Sequence, residues 1–233
     1  MSERKVLDLY SGQGTVDWNA VAASGQIAFA IIKASEGASV TDSRVKRNAL
    51  RAAAAGIPIS YYHFGRPDLG APSPPSDARQ EAEHFLRTIA DLIRPNKQLF
   101  QSGRTAAVWL DLEKPIERWN EREGFDWVST FLAQVEKQYP VGLYTSREWL
   151  EREVTPLASS MSQLLNRPDG SQRAIWVARY GANDSLVPDR SRHNPDDKVP
   201  REWGSYDLWQ YTSQGALPGV PTPCDLSLAR LRP

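Results

Sequence analysis

Eight short runs with the composition and alternation of β-strands recur along this 233-residue chain, at 6–10, 28–34, 59–64, 106–112, 141–145, 174–178, 208–211 and 225–228. Several are followed by helical periodicity. Alternating strands and helices predict a parallel sheet, and eight strands in one domain predict that the sheet closes into a (β/α) barrel. The clearest helix places Ala78, Ala82, Phe85, Leu86, Ile89 and Ile93 on one face, after the start signal Ser76-Asp77 and before Pro95. Another reads from Asp42, with Val45, Ala49, Ala52 and Ala53 as its buried stripe and Gly56 as its C-terminal cap. Shorter helices are expected at 17–23, 125–138 and 146–152. These are too few for eight full units, so the expected fold is α/β: a single irregular (β/α) barrel with eight strands, an incomplete helix ring and later strands joined by loops. Pro72-Ser73-Pro74-Pro75 reads as a stiff loop before a helix, and 181–204 as a long surface loop without any period.

Composition narrows the function classes. Lysine and arginine number 28 against 28 aspartates and glutamates, which disfavours a nucleic-acid partner. No apolar run approaches the roughly 18 residues of a membrane span, and the charged N-terminus lacks the apolar stretch of a secretory signal. One cysteine, Cys224, excludes an intramolecular disulfide framework and reads as a small buried apolar group. Three scattered histidines without metal-ligand spacing point to no metal site. Gly12-Gln13-Gly14 lacks the spacing of a nucleotide-binding loop, so no cofactor is expected. A chain this long should bury roughly 70–75% of its unfolded surface, and needs no staple to be stable. A monomer is expected.

Carboxylates gather at the predicted strand ends. In 106–113, Val108, Leu110 and Leu112 share the face that packs against helices, while Asp111 and Glu113 share the other. Two strand residues advance the chain by roughly 6.6 Å, so these acids lean together into the barrel mouth, where loops build active sites. Their repulsion should separate their pKa values and leave one able to donate a proton near neutral pH, as glycoside hydrolysis requires. The alternative is structural, with Glu113 capping a helix and Asp111 paired with a buried arginine. Asp8 repeats the pattern, facing inward with Val6 and Tyr10. Asp225 alone would be a turn or cap residue, and Glu36 a solvated loop charge. Tyr62, in Tyr61-Tyr62-His63-Phe64, and the run Trp209-Gln210-Tyr211 close two further strands and can line a sugar groove or simply pack. His63 reads as a satisfied core histidine.

Taken in order, Asp8-x-Tyr10-Ser11-Gly12-Gln13-Gly14, Val16-Asp17-Trp18, Ile32-Lys33-Ala34-Ser35-Glu36-Gly37, Tyr62-His63-Phe64, Leu110-Asp111-Leu112-Glu113, Leu143-Tyr144-Thr145-Ser146, Trp176-Val177-Ala178-Arg179-Tyr180, Trp209-Gln210-Tyr211 and Asp225 resemble glycoside hydrolase family 25, the Chalaropsis-type lysozymes or N-acetylmuramidases. The resemblance implies an incomplete β/α barrel cleaving the β-1,4 bond between N-acetylmuramic acid and N-acetylglucosamine in peptidoglycan. It implies Glu113 as general acid/base and Asp111 as the residue that organises the substrate's 2-acetamido nucleophile. Asp8 and Asp225 are implied as supporting carboxylates, with a direct nucleophilic role for one acid left open. Glu36, Tyr62, Tyr144, Trp176, Tyr180, Trp209 and Gln210 are implied as groove residues. The expected organisation is one catalytic domain over 1–233 with no separate cell-wall-binding domain. Made without a signal peptide, it would reach glycan strands through a holin, a phage tail or an injection device. The rival reading is a non-catalytic peptidoglycan-binding or phage-tail barrel.

Overall fold

The computed structural model describes residues 4–67, 72–114, 120–146, 149, 162–184, 186–187, 189–193, 199 and 201–232. Its strands are β1 (Arg4–Leu9), β2 (Ile27–Glu36), β3 (Val40–Thr41), β4 (Ile59–Phe64), β5 (Gln98–Leu99), β6 (Thr105–Ala106), β7 (Val108–Leu112), β8 (Val141–Ser146), β9 (Ile175–Ala178), β10 (Leu208–Gly215) and β11 (Cys224–Ala229). Eight of them close a barrel in the order β1-β2-β4-β7-β8-β9-β10-β11, with β11 returning to β1. All eight expected strands are present. Neighbours from β1 through β10 run parallel, whereas β11 is antiparallel to both β10 and β1. The sequence pattern predicted only parallel pairing. Residues 216–223, between Gly215 and Cys224, are fewer than the dozen or so that a crossover requires, so the chain turns back as a hairpin.

Side-chain alternation divides the core into two layers. Leu7, Leu9, Ile32, Val108, Leu110 and Leu143 point outward to the helices. Val6, Ile31, Trp109, Trp176 and Leu208 point into the barrel. Its lower end is plugged by aromatics: the Trp109 ring meets Phe100 and Trp176 edge-on, at 6.1 and 5.5 Å. Gly142 makes room for that indole, because a Cβ there would lie 2.5 Å from it.

The helices are α1 (Trp18–Ala23), α2 (Val45–Ala54), α3 (Pro74–Ala90) and α4 (Glu121–Val135). Asp17 caps α1 by accepting from the Asn19 and Ala20 amides. Asn120 and Glu123 form a reciprocal capping box that starts α4 before the expected residue 125. Pro74 and Pro75 belong to the first turn of α3, not to a loop. The first helical amides have no intrahelical partner, so proline costs nothing there and its fixed φ already suits the helix. The expected helix at 146–152 lies mostly outside the described residues, as does part of the 181–204 loop. Described residues of that loop include a short helical turn at Arg190–His193 and a 3-10 turn at Arg201–Trp203. No described helix is long and apolar enough to cross a membrane.

Candidate active site

Asp111 occupies the inward face of β7, and Glu113 lies one residue past the strand end, exposed at the barrel mouth. Asp111 is only 5% exposed, and its Oδ1 accepts no hydrogen bond from any described residue. Both acids line a pocket of about 210 Å³ with Asp8, Tyr62, Tyr144, Trp176, Gln210 and Asp225. That is smaller than the roughly 300–1,000 Å³ of a pocket enclosing a whole ligand, and suits one sugar-sized group with the rest of a polymer lying outside. Desolvation, followed by the negative charge of Glu113, pushes the Asp111 carboxyl well above the ordinary range. Desolvation also raises Glu113, with Lys33 and then Lys114 opposing the shift. The mouth thus holds one exposed carboxyl that desolvation raises above its ordinary range and one buried carboxyl whose Oδ1 meets no donor among the described residues.

Lys33 lines the same pocket from β2. A register shift between Lys33 and Ser35 places an extra residue on β2, so Glu36 returns to the side that Lys33 faces. Lys33 donates to Glu36 at 2.7 Å and lies 4.6 Å from the centre of the Phe64 ring. Glu36 also accepts from Arg66 at 2.9 Å. The hydrogen bonds and positive charge of Lys33, reinforced by Arg66, overcome desolvation and hold the Glu36 carboxyl below the usual range. Glu36 therefore positions Lys33 and does not itself line the pocket.

Across the mouth from β7, Asp8 of β1 and Asp225 of β11 are direct cross-strand partners whose carboxyls are in hydrogen-bonding contact. Two like charges so placed repel, and the contact requires a proton between them. Burial and then the neighbouring Asp225 charge push Asp8 well up, and burial raises Asp225 to about 6. Gln210 donates from Nε2 to Asp8 Oδ2 at 2.8 Å, while its Oε1 accepts from the Tyr144 and Tyr180 hydroxyls at 3.0 and 2.7 Å. Below them, Trp176 packs against Tyr144 at 4.4 Å between ring centres and donates from its indole to Ser227 at 3.0 Å.

The structure brings together Asp8, Asp111, Glu113, Asp225, Tyr62, Tyr144, Trp176 and Gln210, with Tyr180 half-exposed at the rim beside Gln210. Trp209 is a correction. It alternates with Gln210 and so points out of the barrel, fully buried between Tyr206 and Tyr211, with its indole donating to the Arg179 carbonyl at 2.7 Å. His63 also points outward, between Ser35 at 2.9 Å and Glu81 at 2.8 Å and against Phe85 and Phe131. Burial drives its pKa down to about 3, so the ring is neutral in the core. Lys33 escaped the site assignment, although a lysine on the inward face of a strand otherwise carrying Phe29 and Ile31 was a readable signal: an inward charge is costly unless it meets opposite charge.

The sequence model of glycosyl hydrolases family 25 matches residues 7–220. The chain is 29% identical over 222 residues to the autolytic lysozyme of Clostridium acetobutylicum, covering 95% of this chain and 54% of that protein. It is 25% identical over 226 residues to lysozyme M1 of Streptomyces globisporus, covering 94% and 65%. It thus spans about half to two thirds of the length of these curated relatives. Among solved structures, the bacterial lysozyme of Streptomyces coelicolor superposes with a TM-score of 0.69 at 23% identity, covering 97% of this chain and 92% of that one, and shares the barrel. With a matching family model over nearly its whole length and the barrel in place, this chain belongs to glycosyl hydrolases family 25, a family of glycoside-cleaving enzymes.

Proposed function

We propose that the protein is a lysozyme that hydrolyses the β-1,4 bond between N-acetylmuramic acid and N-acetylglucosamine in bacterial peptidoglycan, with retention and with assistance from the substrate's own acetamido group. The observation that carries this reading is that one sugar-sized pocket joins exposed Glu113, whose carboxyl desolvation raises above its ordinary range, to buried Asp111, whose Oδ1 meets no hydrogen-bond donor among the described residues. Lysozyme relatives support the substrate class. Glu113 protonates the glycosidic oxygen as the bond to C1 breaks. Asp111 Oδ1 accepts from the acetamido N–H and turns the acetamido oxygen onto C1, to which it bonds as the protonated leaving oxygen departs. Glu113, now a carboxylate, removes a proton from water as that water displaces the acetamido oxygen. The negative charge of Asp8 and Asp225 stabilises the positive charge that develops on the ring. Tyr62, Tyr144 and Trp176 wall the reacting sugar.

The test is digestion of purified sacculi, borohydride reduction and identification of the reduced ends. Muramitol ends are expected, and 1H NMR of the unreduced digest at early times should show the β-anomer first. Glucosaminitol ends would overturn the bond assignment, and binding to sacculi without release of any reducing end would establish the non-catalytic barrel instead.

A further inference from the structure

The Gln210 side chain is 2% exposed, and three polar partners meet it in the barrel mouth. Two tyrosine hydroxyls donate to its Oε1, Tyr144 from β8 at 3.0 Å and Tyr180 following β9 at 2.7 Å. An amide oxygen only accepts, so these two donors fix which way the amide faces. Its Nε2 is thereby turned to Asp8 Oδ2 at 2.8 Å, making that oxygen an acceptor. Asp8 in turn contacts Asp225, its cross-strand partner. We propose that Gln210 is a positioning residue: by holding its N–H on Asp8 Oδ2, it confines the shared proton to the Asp8–Asp225 contact and keeps the pair a monoanion under the substrate.

The catalytic meaning rests on the lysozyme reading; the proton placement does not. Other groups facing the pair are fixed by the barrel. Glu113 and Asp111 present like charge from β7, and Lys33 of β2 presents opposite charge from the same pocket. Tyr62 of β4 is held neutral by burial, and Cys224 beside Asp225 is pushed up to about 12 by the same cause. Of the groups contacting Asp8, Gln210 is the one that lowers its pKa, so its removal has a direction. Hydrogen bonding to a carboxylate favours the charged form, and losing such a bond raises the pKa.

The experiment follows the aspartate carboxyl signals by 13C NMR against pH, in the wild type, in Gln210→Met and in Tyr180→Phe, with Asp225→Asn used to assign the pair. Methionine keeps the volume of glutamine and removes every donor. The step that forms the monoanion should rise by about one pH unit or more in Gln210→Met. A smaller rise is expected in Tyr180→Phe, where a single hydroxyl still orients the amide. In the lysozyme assay the acidic limb of kcat/KM should move by the same amount, a displacement that a purely structural role would not produce. If Gln210→Met folds and both steps of the pair stay at wild-type values, the proposal is overturned; if it does not fold, an unshifted Tyr180→Phe overturns it. A wild type that releases no reducing ends defeats the lysozyme reading, while the carboxyl titration still decides the role of Gln210.

Discussion

Replacing Asp111 by asparagine should make the protein more stable and almost inactive. The carboxyl is 5% exposed, and its Oδ1 has no hydrogen-bond partner among the described residues. Burial and the nearby Glu113 charge raise its pKa, with Lys33 opposing them. An acid whose folded-state pKa is raised binds its proton more tightly in the native state. Its favourable contribution is therefore complete below the unfolded value of about 3.9, and is lost as pH rises through the folded value. At pH 8 the wild type carries the full cost of an ionised or desolvated carboxyl that asparagine does not carry. Asparagine leaves the same atom unpartnered but has no charge to desolvate; an unpartnered charge costs more than the ~1–3 kcal/mol of a neutral group, and with Lys33 offsetting part of the excess the expected gain is about 1–2 kcal/mol. For a domain of this size each kcal/mol moves Tm by roughly 2–4 °C, so a rise of about 2–8 °C at pH 8 is expected. At pH 4 the two proteins should melt together. Sacculus lysis should fall by about a hundredfold or more, because an amide cannot supply the same acceptor and charge at the acetamido group. Melting followed by circular dichroism at the two pH values checks the first part, and turbidity clearing the second. A variant that melts below the wild type at pH 8, or that gains as much at pH 4, would refute the account of Asp111 as a destabilising functional group.

Glu113→Gln should fold normally, since the side chain is exposed, and should lose about 10²–10⁴-fold in reducing-end release; clearing at the wild-type rate would remove Glu113 from the chemistry. Gly142→Ala places a methyl 2.5 Å from Trp109 Cζ3 and 3.0 Å from the Ala106 Cβ, and should cost about 1–3 kcal/mol in a denaturant titration. The double variant Gly142→Ala/Trp109→Phe should recover part of that loss. Trp209→Phe should lower Tm by several degrees through lost packing in the outer layer, leaving KM for sacculi within about twofold; a large KM increase would return Trp209 to the groove.

The barrel was readable because its strands are short alternating runs whose inward and outward sets differ in chemistry. Asp111 against Leu110 and Leu112 is the clearest instance, and the same two-residue period correctly aims Asp8. Applied to β10, it also puts Trp209 and Gln210 on opposite faces, whereas the aromatic run left groove and packing open and the resemblance then drew both residues into the groove. The direction of β11 had no local signature. It follows from the brevity of the hairpin and from pairing across the whole chain. Asp225 is for the same reason unremarkable in its own neighbourhood and acquires meaning only beside Asp8. The bulge in β2 was equally hidden, since an extra residue on a strand leaves no mark in composition, and it decides that Glu36 meets Lys33.

Closure of the barrel by β11 has a temporal consequence during synthesis. Asp8 lies in the first described strand and Asp225 in the last, and they meet by direct pairing of those two strands. A growing chain that has not yet released residues 224–229 from the ribosome has β1 with an open edge, Asp8 without its partner and no wall behind Trp176, whose indole needs Ser227. The pocket is thus assembled in a single late step, and fragments ending before β11 should be lytically inert, with their unpaired edge exposed to aggregation.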